Sequence, residues 1–185
     1  MTASASDEDA LLRDAVAGLE GGDFSRLEPL FDAGAAGARP KILEWFEQGR
    51  FRAEPKALDE ALTCACFLGR TDVAEALLAH GVDPEAGAAT GLNAIHWAAN
   101  RGQLEAVRLL IRRKVALETR NMYGGTALGV TVWSAIHEPR PAHVRIVEEL
   151  LDAGARREAI EFPTGHGEVD ALLSRRAGGV PGERA

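Results

Sequence analysis

The sequence is poor in aromatic residues, and this scarcity bears directly on the fold class. Aromatic residues make up 5 % of the 185 residues, whereas hydrophobic residues, with many alanines and leucines, make up 46 % and charged residues 26 %. Hydrophobic and charged fractions of this size are ordinary for a folded protein of one domain. Small apolar side chains suit thin, closely stacked helices better than a β-sandwich. The composition therefore favours an all-α fold.

The sequence also lacks a long apolar run and an excess of positive charge. No window approaches the roughly 18 apolar residues that a membrane-spanning helix requires, and the start, Met-Thr-Ala-Ser-Ala-Ser-Asp, has neither the basic nor the apolar region of a secretion signal. We therefore expect a cytoplasmic protein without a membrane span. The formal net charge of −7 argues against nucleic-acid binding, which needs a concentrated basic face.

Lysine is scarce, with only Lys41, Lys56 and Lys114, while arginine and alanine are frequent, a bias typical of GC-rich bacterial genomes. One short basic cluster is present, at Arg108, Arg112, Arg113 and Lys114. It lies at the end of a predicted helix, where cations interact favourably with the helix dipole. A solvated helix end explains the cluster, and a patch for an acidic partner is the alternative.

Cysteine is limited to Cys64 and Cys66. On a helix, residues two apart point roughly 200° away from each other, so these two side chains cannot form a disulfide together. Cys66 falls at a position where a small buried residue is expected. We interpret it as a core residue and expect no redox or metal role.

A period of 33 residues organises the central part of the chain. Sliding the sequence by 33 places Gly69 on Gly102, Leu77 on Leu110, Leu78 on Ile111 and Gly91 on Gly124. A fixed period of this length indicates a repeat array, in which each unit buries its apolar face against the next. The protein is therefore predicted to be a solenoid.

The repeated segments resemble the ankyrin repeat over residues 57–162. The resemblance rests on Asn-Ala-Ile-His-x-Ala-Ala-x-x-Gly from Asn93 to Gly102, and on Leu-Leu-x-x-Gly endings such as 77–81 and 150–154. It implies an all-α ankyrin-repeat solenoid of helix-turn-helix units with short hairpin or loop fingers. We expect about four units followed by a C-terminal capping helix.

The period and the apolar pattern set the predicted boundaries of a single domain over residues 7–176. The units span about 8–35, 57–89, 90–122 and 123–162, with a cap over 163–176. The first unit is followed by an inserted helix, 40–48, within an insertion over 36–56. Seven residues are added within 130–141, where we expect a loop between the two helices of the last unit. The ends, 1–6 and 177–185, are predicted to be disordered.

The sequence shows no catalytic constellation. Phosphate loops, nucleophile elbows, dinucleotide fingerprints and metal-ligand series are missing, and the five histidines are scattered. The resemblance implies that His96 has a structural role and bridges loops by hydrogen bonds. Gly129 stands at the equivalent position of the next unit, where we expect looser loops. We predict no enzyme activity, no cofactor and no metal.

A binding surface remains, and the resemblance implies that it is a concave face made of fingers and the exposed sides of first helices. Cys64, Leu68 and Val130 occupy positions that face it, and the candidate partner-binding residues are Phe67, Trp97, Asn100, Arg101, Met122, Tyr123 and Trp133. Aromatic residues and arginine carry much of the energy of protein interfaces. Alternatively, Phe67 and Trp97 pack on neighbouring helices.

These observations predict a monomeric protein–protein interaction module that binds a protein partner without chemistry of its own. Two alternatives stay open. One is a secreted effector or immunity-type inhibitor that uses the same face. The other is an enzyme or a small-ligand-binding protein whose site lies under the insertion at 133–141.

Overall fold

The computed structural model describes residues 5–33 and 38–177, and all of the regular structure in these residues is helical. The α-helices are α1 (Ala5–Gly21), α2 (Glu28–Phe31), α3 (Lys41–Glu47), α4 (Pro55–Leu68), α5 (Thr71–Ala79), α6 (Ala94–Asn100), α7 (Leu104–Arg112), α8 (Ala127–His137), α9 (His143–Asp152) and α10 (Gly167–Ala177). Short 3-10 turns precede α2, at Phe24–Leu27, and follow α9, at Arg157–Ala159. The predicted all-α class is confirmed.

The helices form two layers. The first helices of successive units, α1, α4, α6 and α8, pack side by side in one layer, and α5, α7 and α9 pack in the other. Each unit joins its two layers through a tight turn, as at Gly69 and Gly102, where φ is 72° and 68°. A continuous core of leucine, valine and alanine side chains lies between the layers. The 33-residue period thus corresponds to a helical solenoid.

The first unit has a short second helix. Residues 24–31 form a 3-10 turn and then the single turn of α2, with Pro29 at the helix start. Phe24, Leu27 and Phe31 are buried, and Leu30 is half-buried. The short helix leaves part of the second layer to be filled by another element.

Helix α3 fills that part of the second layer. It contacts α2 on one side and α5 on the other. Ile42, Leu43 and Trp45 are buried, and the Trp45 indole donates a hydrogen bond of 3.1 Å to the Glu8 carboxylate on α1. The insertion therefore bridges the first two units.

The expectation that the seven added residues all lie between the two helices of the last unit is wrong, because helix α8 continues to His137. Helix α8 has 11 residues, whereas α6 has 7, and only residues 138–142 form the connection to α9. Nothing in Ser134–His137 breaks a helix, and Ser134 and Ala135 are buried. The chain turns only where Pro139 and Pro141 forbid further helical hydrogen bonds.

Side chains link successive units through hydrogen bonds to the backbone of the next loop. The His96 ring, 1 % exposed, bonds through Nε2 to the Thr119 carbonyl at 3.0 Å, so it bridges to the next loop. Glu85 accepts a hydrogen bond of 2.9 Å from the Ala116 backbone N–H, and Glu118 accepts one of 2.8 Å from Arg156. The two glutamates are one period apart, so the same contact recurs between units.

The C-terminal helix α10 packs against α9. Its Val169, Leu172 and Leu173 are buried, and the Asp170 carboxylate accepts hydrogen bonds of 2.8 Å from the N–H and hydroxyl of Thr164. Such a terminal element shields the last apolar face of a repeat array from water.

The predicted disordered ends fall mostly outside the described residues. Residues 1–4 and 178–185 lie outside them, whereas residues 5 and 6 belong to the first turn of α1 and Ala177 is the last residue of α10. The stretch 34–37, at the start of the predicted insertion, also lies outside the described residues.

Candidate partner-binding surface

Three aromatic side chains from the first three units form a cluster on the first-helix layer. Phe24, Phe67 and Trp97 meet edge to face, with ring centroids 5.6 Å apart for Phe24–Phe67 and 5.1 Å apart for Phe67–Trp97. The Trp97 indole N–H also donates a hydrogen bond of 2.8 Å to the Thr90 hydroxyl. Phe67 and Trp97 are half-buried. They pack on neighbouring helices and still contribute exposed edges to the surface.

Arg101 lies one helical turn after Trp97 and covers the cluster. Its guanidinium carbon is 4.7 Å from the centre of the Phe67 ring, a cation–π contact. Burial lowers the pKa of Arg101, and the nearby positive charge of Arg140 lowers it further. Arginine keeps its charge under such shifts. The cluster therefore carries a fixed cation at its edge.

A groove with a volume of about 540 Å³ continues this surface toward the C-terminus. It lies between the loop before α8 and the helices α6 and α8, and it is lined by Leu92, Asn100, Asn121, Tyr123, Gly125, Gly129, Val130 and Trp133. Gly129 stands where the preceding unit has His96, and an added Cβ there would come no closer than 3.6 Å to a neighbouring side chain, at the Thr126 hydroxyl oxygen. The glycine leaves that side of the groove open.

The most exposed apolar residues around the groove come from the loop and from α8. Tyr123 is 80 % exposed, Met122 66 % and Trp133 51 %. Trp133 contacts His137 in a tilted arrangement, with ring centroids 4.7 Å apart. Exposed aromatic side chains at the rim of a groove are typical of interaction sites.

Polar side chains in the groove are used to hold the scaffold. The Asn100 amide nitrogen donates a hydrogen bond of 3.0 Å to the Ser134 hydroxyl, which ties α6 to α8. The Asn121 amide oxygen accepts bonds of 2.9 Å from the backbone N–H groups of Tyr123 and Gly125. Asn121 thereby shapes the loop that carries Met122 and Tyr123.

The structure thus divides the seven candidate residues into two adjoining groups. Phe67, Trp97 and Arg101 form the half-buried cluster with Phe24, and Asn100, Tyr123 and Trp133 line the groove, with Met122 beside Tyr123. We call this combined surface the first-helix face.

One expectation is wrong: Cys64 is fully buried, with its sulfur 4.0 Å from the Phe24 carbonyl. Burial raises the pKa of both cysteine thiols, that of Cys66 to about 12.

Sequence reasoning missed the role of His143. This ring, 1 % exposed, accepts a hydrogen bond of 3.2 Å from the Arg140 N–H at Nδ1 and bonds to the Asn100 carbonyl at 3.0 Å through Nε2. Burial lowers its pKa, against the effect of the Asn100 carbonyl. His143 follows the 138–142 connection and fixes it against α6, beside the groove.

A second cavity, of about 530 Å³, lies between α1, α4 and the turn at 86–89. It is lined by Glu20, Lys56, Asp59 and Glu60 among others. Glu60 is 3 % exposed and accepts a hydrogen bond of 2.6 Å from the Ala89 N–H, which holds the turn against α4. Burial raises the pKa of Glu60, opposed by that bond. In the described residues, no three side chains are placed to hold a metal ion.

A family model described as ankyrin repeats (3 copies) matches residues 62–160, more than half of the chain. The protein belongs to the ankyrin repeat family. The match covers the three ankyrin units that carry Phe67, Trp97 and Trp133. A search of curated proteins finds no match.

Ankyrin repeats generally mediate protein–protein interaction, and ankyrin domains are typically not catalytic. Among the described helices of this ankyrin domain, none has the length and apolar character needed to cross a membrane.

Proposed function

We propose that this ankyrin domain binds a protein partner through the first-helix face and acts by holding or positioning that partner, without chemistry of its own. The observation that supports this most directly is the pair of exposed aromatic residues, Tyr123 and Trp133, at the edge of a groove. The helices beneath them are joined by a continuous core and by the Asn100–Ser134 bond. A preorganised surface of this kind loses little entropy when a partner docks.

A protein partner fits the groove better than a small ligand. Small-ligand sites combine an apolar cavity with polar groups that converge on the ligand. Here the Asn100 nitrogen and the Asn121 oxygen are engaged by the scaffold itself. The flanking surface offers Met122, Tyr123 and Trp133, side chains suited to a broad interface.

Site-specific photo-crosslinking in the cells that make the protein tests this proposal. A benzophenone amino acid at Tyr123 should yield a discrete protein adduct, which mass spectrometry then identifies. The same amino acid at Arg113, an exposed position at the end of α7 in the other layer, is the matched control and should yield none. Adducts of equal yield at both positions, or none at Tyr123, would contradict the proposal.

The identity of the crosslinked protein also distinguishes an interaction module from an inhibitor, an effector or a self-associating protein. We expect a cytoplasmic partner in a bacterial cell and a domain that is itself monomeric. A toxin or a host protein as the adduct would instead favour the immunity-type inhibitor or the secreted effector. An adduct of two copies of this chain would contradict the monomer.

A further inference from the structure

Two arginines at the edge of the first-helix face, Arg101 and Arg140, form no ion pair with the carboxylates of the described residues. Arg101 lies on the Phe67 ring, and Arg140 lies over the Gly102 turn, where an added Cβ would be 3.1 Å from both Cβ and Cδ of Arg140. Arg140 lies close enough for its positive charge to lower the pKa of Arg101. Neither forms an ion pair within the described part of the chain; Glu138 attracts Arg101 only at longer range.

The backbone brings these two charges together, although the residues are 39 positions apart. Arg101 caps the end of α6, and Arg140 lies in the connection after the extended helix α8. His143 fixes this connection, since its ring accepts the Arg140 N–H and bonds to the Asn100 carbonyl. The seven residues added to the last unit therefore place Arg140 over the turn of the unit before it.

Residues that line the apolar groove lie near both arginines along the chain. Asn100, which lines the groove, directly precedes Arg101, and Trp133, which also lines it, contacts His137 near the start of the connection that carries Arg140. An occupant of the groove would thus extend to two neighbouring guanidinium groups. In contrast, Arg108 on α7 is neutralised by Glu149 on the neighbouring helix α9, at 2.7 Å.

Resting on the proposed function, we infer that the partner presents an acidic peptide segment, with a carboxylate between Arg101 and Arg140 and a neighbouring apolar side chain in the groove beside Trp133. Guanidinium groups match carboxylates by paired, charge-assisted hydrogen bonds. A carboxylate at this position would also relieve the repulsion between the two arginines. The apolar neighbour would cover Val130 and Trp133 and exclude water from those bonds.

The probe for this inference is a displayed library of short random peptides, selected on the full-length protein. Enriched peptides should carry Asp or Glu next to an aromatic or aliphatic residue. Changing that acid to its amide should weaken binding by about tenfold or more, the usual size of a charged hydrogen bond. Arg140→Gln should weaken binding of the acidic peptide similarly, whereas Arg113→Gln should not.

A double-mutant cycle makes the assignment specific. On the Arg101→Gln/Arg140→Gln protein, the acidic peptide and its amide form should bind almost equally, because the interaction under test is already gone. The Arg140→Gln variant changes an exposed side chain and keeps the Arg101–Phe67 contact. It therefore tests the inference independently of any effect of Arg101→Gln on the fold. Melting curves of each variant verify that it is folded.

Each other outcome overturns the inference in a distinguishable way. Peptides that lose binding on Tyr123→Ala or Trp133→Ala but show no acid preference would refute the acidic partner and leave the proposed function intact. No enriched peptide, or peptides indifferent to all of these changes, would refute both. Self-association that Arg140→Gln abolishes would overturn the inference of a separate partner and assign the acidic segment to a second copy of this chain.

Discussion

Lys114 is the one non-glycine residue in the described part of the chain with a positive φ, 60°. It ends α7 at the position where Gly81 and Gly154, with φ of 89° and 98°, end α5 and α9. The Lys114 N–H still donates to the Ile111 carbonyl at 2.9 Å, so the cap forms despite the side chain. A Cβ makes this left-handed conformation unfavourable by about 1–2 kcal/mol.

Lys114→Gly should therefore raise the free energy of unfolding by some fraction of ~1 kcal/mol, since the greater flexibility of glycine in the unfolded chain offsets part of the relief. Urea denaturation measures the change. The matched control is Arg113→Gly, one residue earlier, where φ is −82° and glycine should only destabilise. Destabilisation by both substitutions to the same extent would mean that Lys114 is not strained.

His143 should make stability depend on pH. Burial lowers its folded-state pKa below the value of about 6.5 for an exposed histidine, so the unfolded chain takes up a proton first as the pH falls. The free energy of unfolding should therefore decrease as the pH drops below about 6.5. His96, whose pKa is lowered by burial as well, should contribute in the same direction.

Urea melts at a series of pH values test this dependence. His143→Gln, whose amide can still reach the Asn100 carbonyl, should flatten the pH dependence between neutral and mildly acidic conditions. An unchanged dependence in this variant would show that His143 does not titrate with unfolding.

At the scale of elements, stability comes from second helices that each lie between two neighbours. Helix α7 contacts α5 on one side and α9 on the other, and Leu110 on this helix is fully buried. Arg108 adds hydrogen bonds of 2.7 and 3.1 Å from α7 to Glu149 on α9. A change in α7 should thus affect the whole array.

Leu110→Ala should lower the free energy of unfolding by roughly 2–5 kcal/mol, because it removes buried methyl groups and leaves a cavity. Arg112→Ala, on an exposed position of the same helix, should cost no more than about 0.5 kcal/mol. Urea melts of the two variants, measured side by side, give both values. A loss below about 1 kcal/mol for Leu110→Ala would contradict the assigned helix register.

Where a sequence signal repeats with the helical period, it predicts the structure well. Leu77 and the glycines of the turns recur 33 residues later and predict the solenoid, and both Leu77 and its equivalent Leu110 are fully buried. The length of α8 could not be predicted, because an insertion carries no equivalent in neighbouring units. Glu85 and Glu118 also recur at 33 residues, so the period of polar positions carries a signal for the hydrogen bonds between units.

The candidate surface was predicted less completely than the fold. Period and resemblance identify which positions face outward, and Tyr123 and Trp133 are indeed exposed. The period and the resemblance do not reveal how deeply a side chain is buried, because burial depends on the size of its neighbours in space. Trp97 is half-buried because Phe24 and Phe67 surround it, and Phe24 belongs to a unit two repeats away.

At the scale of the whole molecule, the ankyrin stack separates the residues that stabilise the fold from those of the proposed binding surface. The core lies between the two layers, whereas Tyr123 and Trp133 project from the first-helix face. Truncating such exposed side chains removes little buried area, so it should leave the fold intact. In contrast, Trp97→Ala would remove both ring contacts and the Thr90 hydrogen bond, so it would confuse loss of binding with loss of stability.

The most direct test of the account compares Tyr123→Ala/Trp133→Ala with the wild-type protein in two measurements made on the same samples. Titration calorimetry with the partner identified by crosslinking at Tyr123 should show binding weakened by about 2 kcal/mol or more, the usual threshold of an interface hot spot. Thermal melting should show a nearly unchanged midpoint. A folded double variant that binds the partner as tightly as the wild type would contradict the central claim that this face is the binding surface.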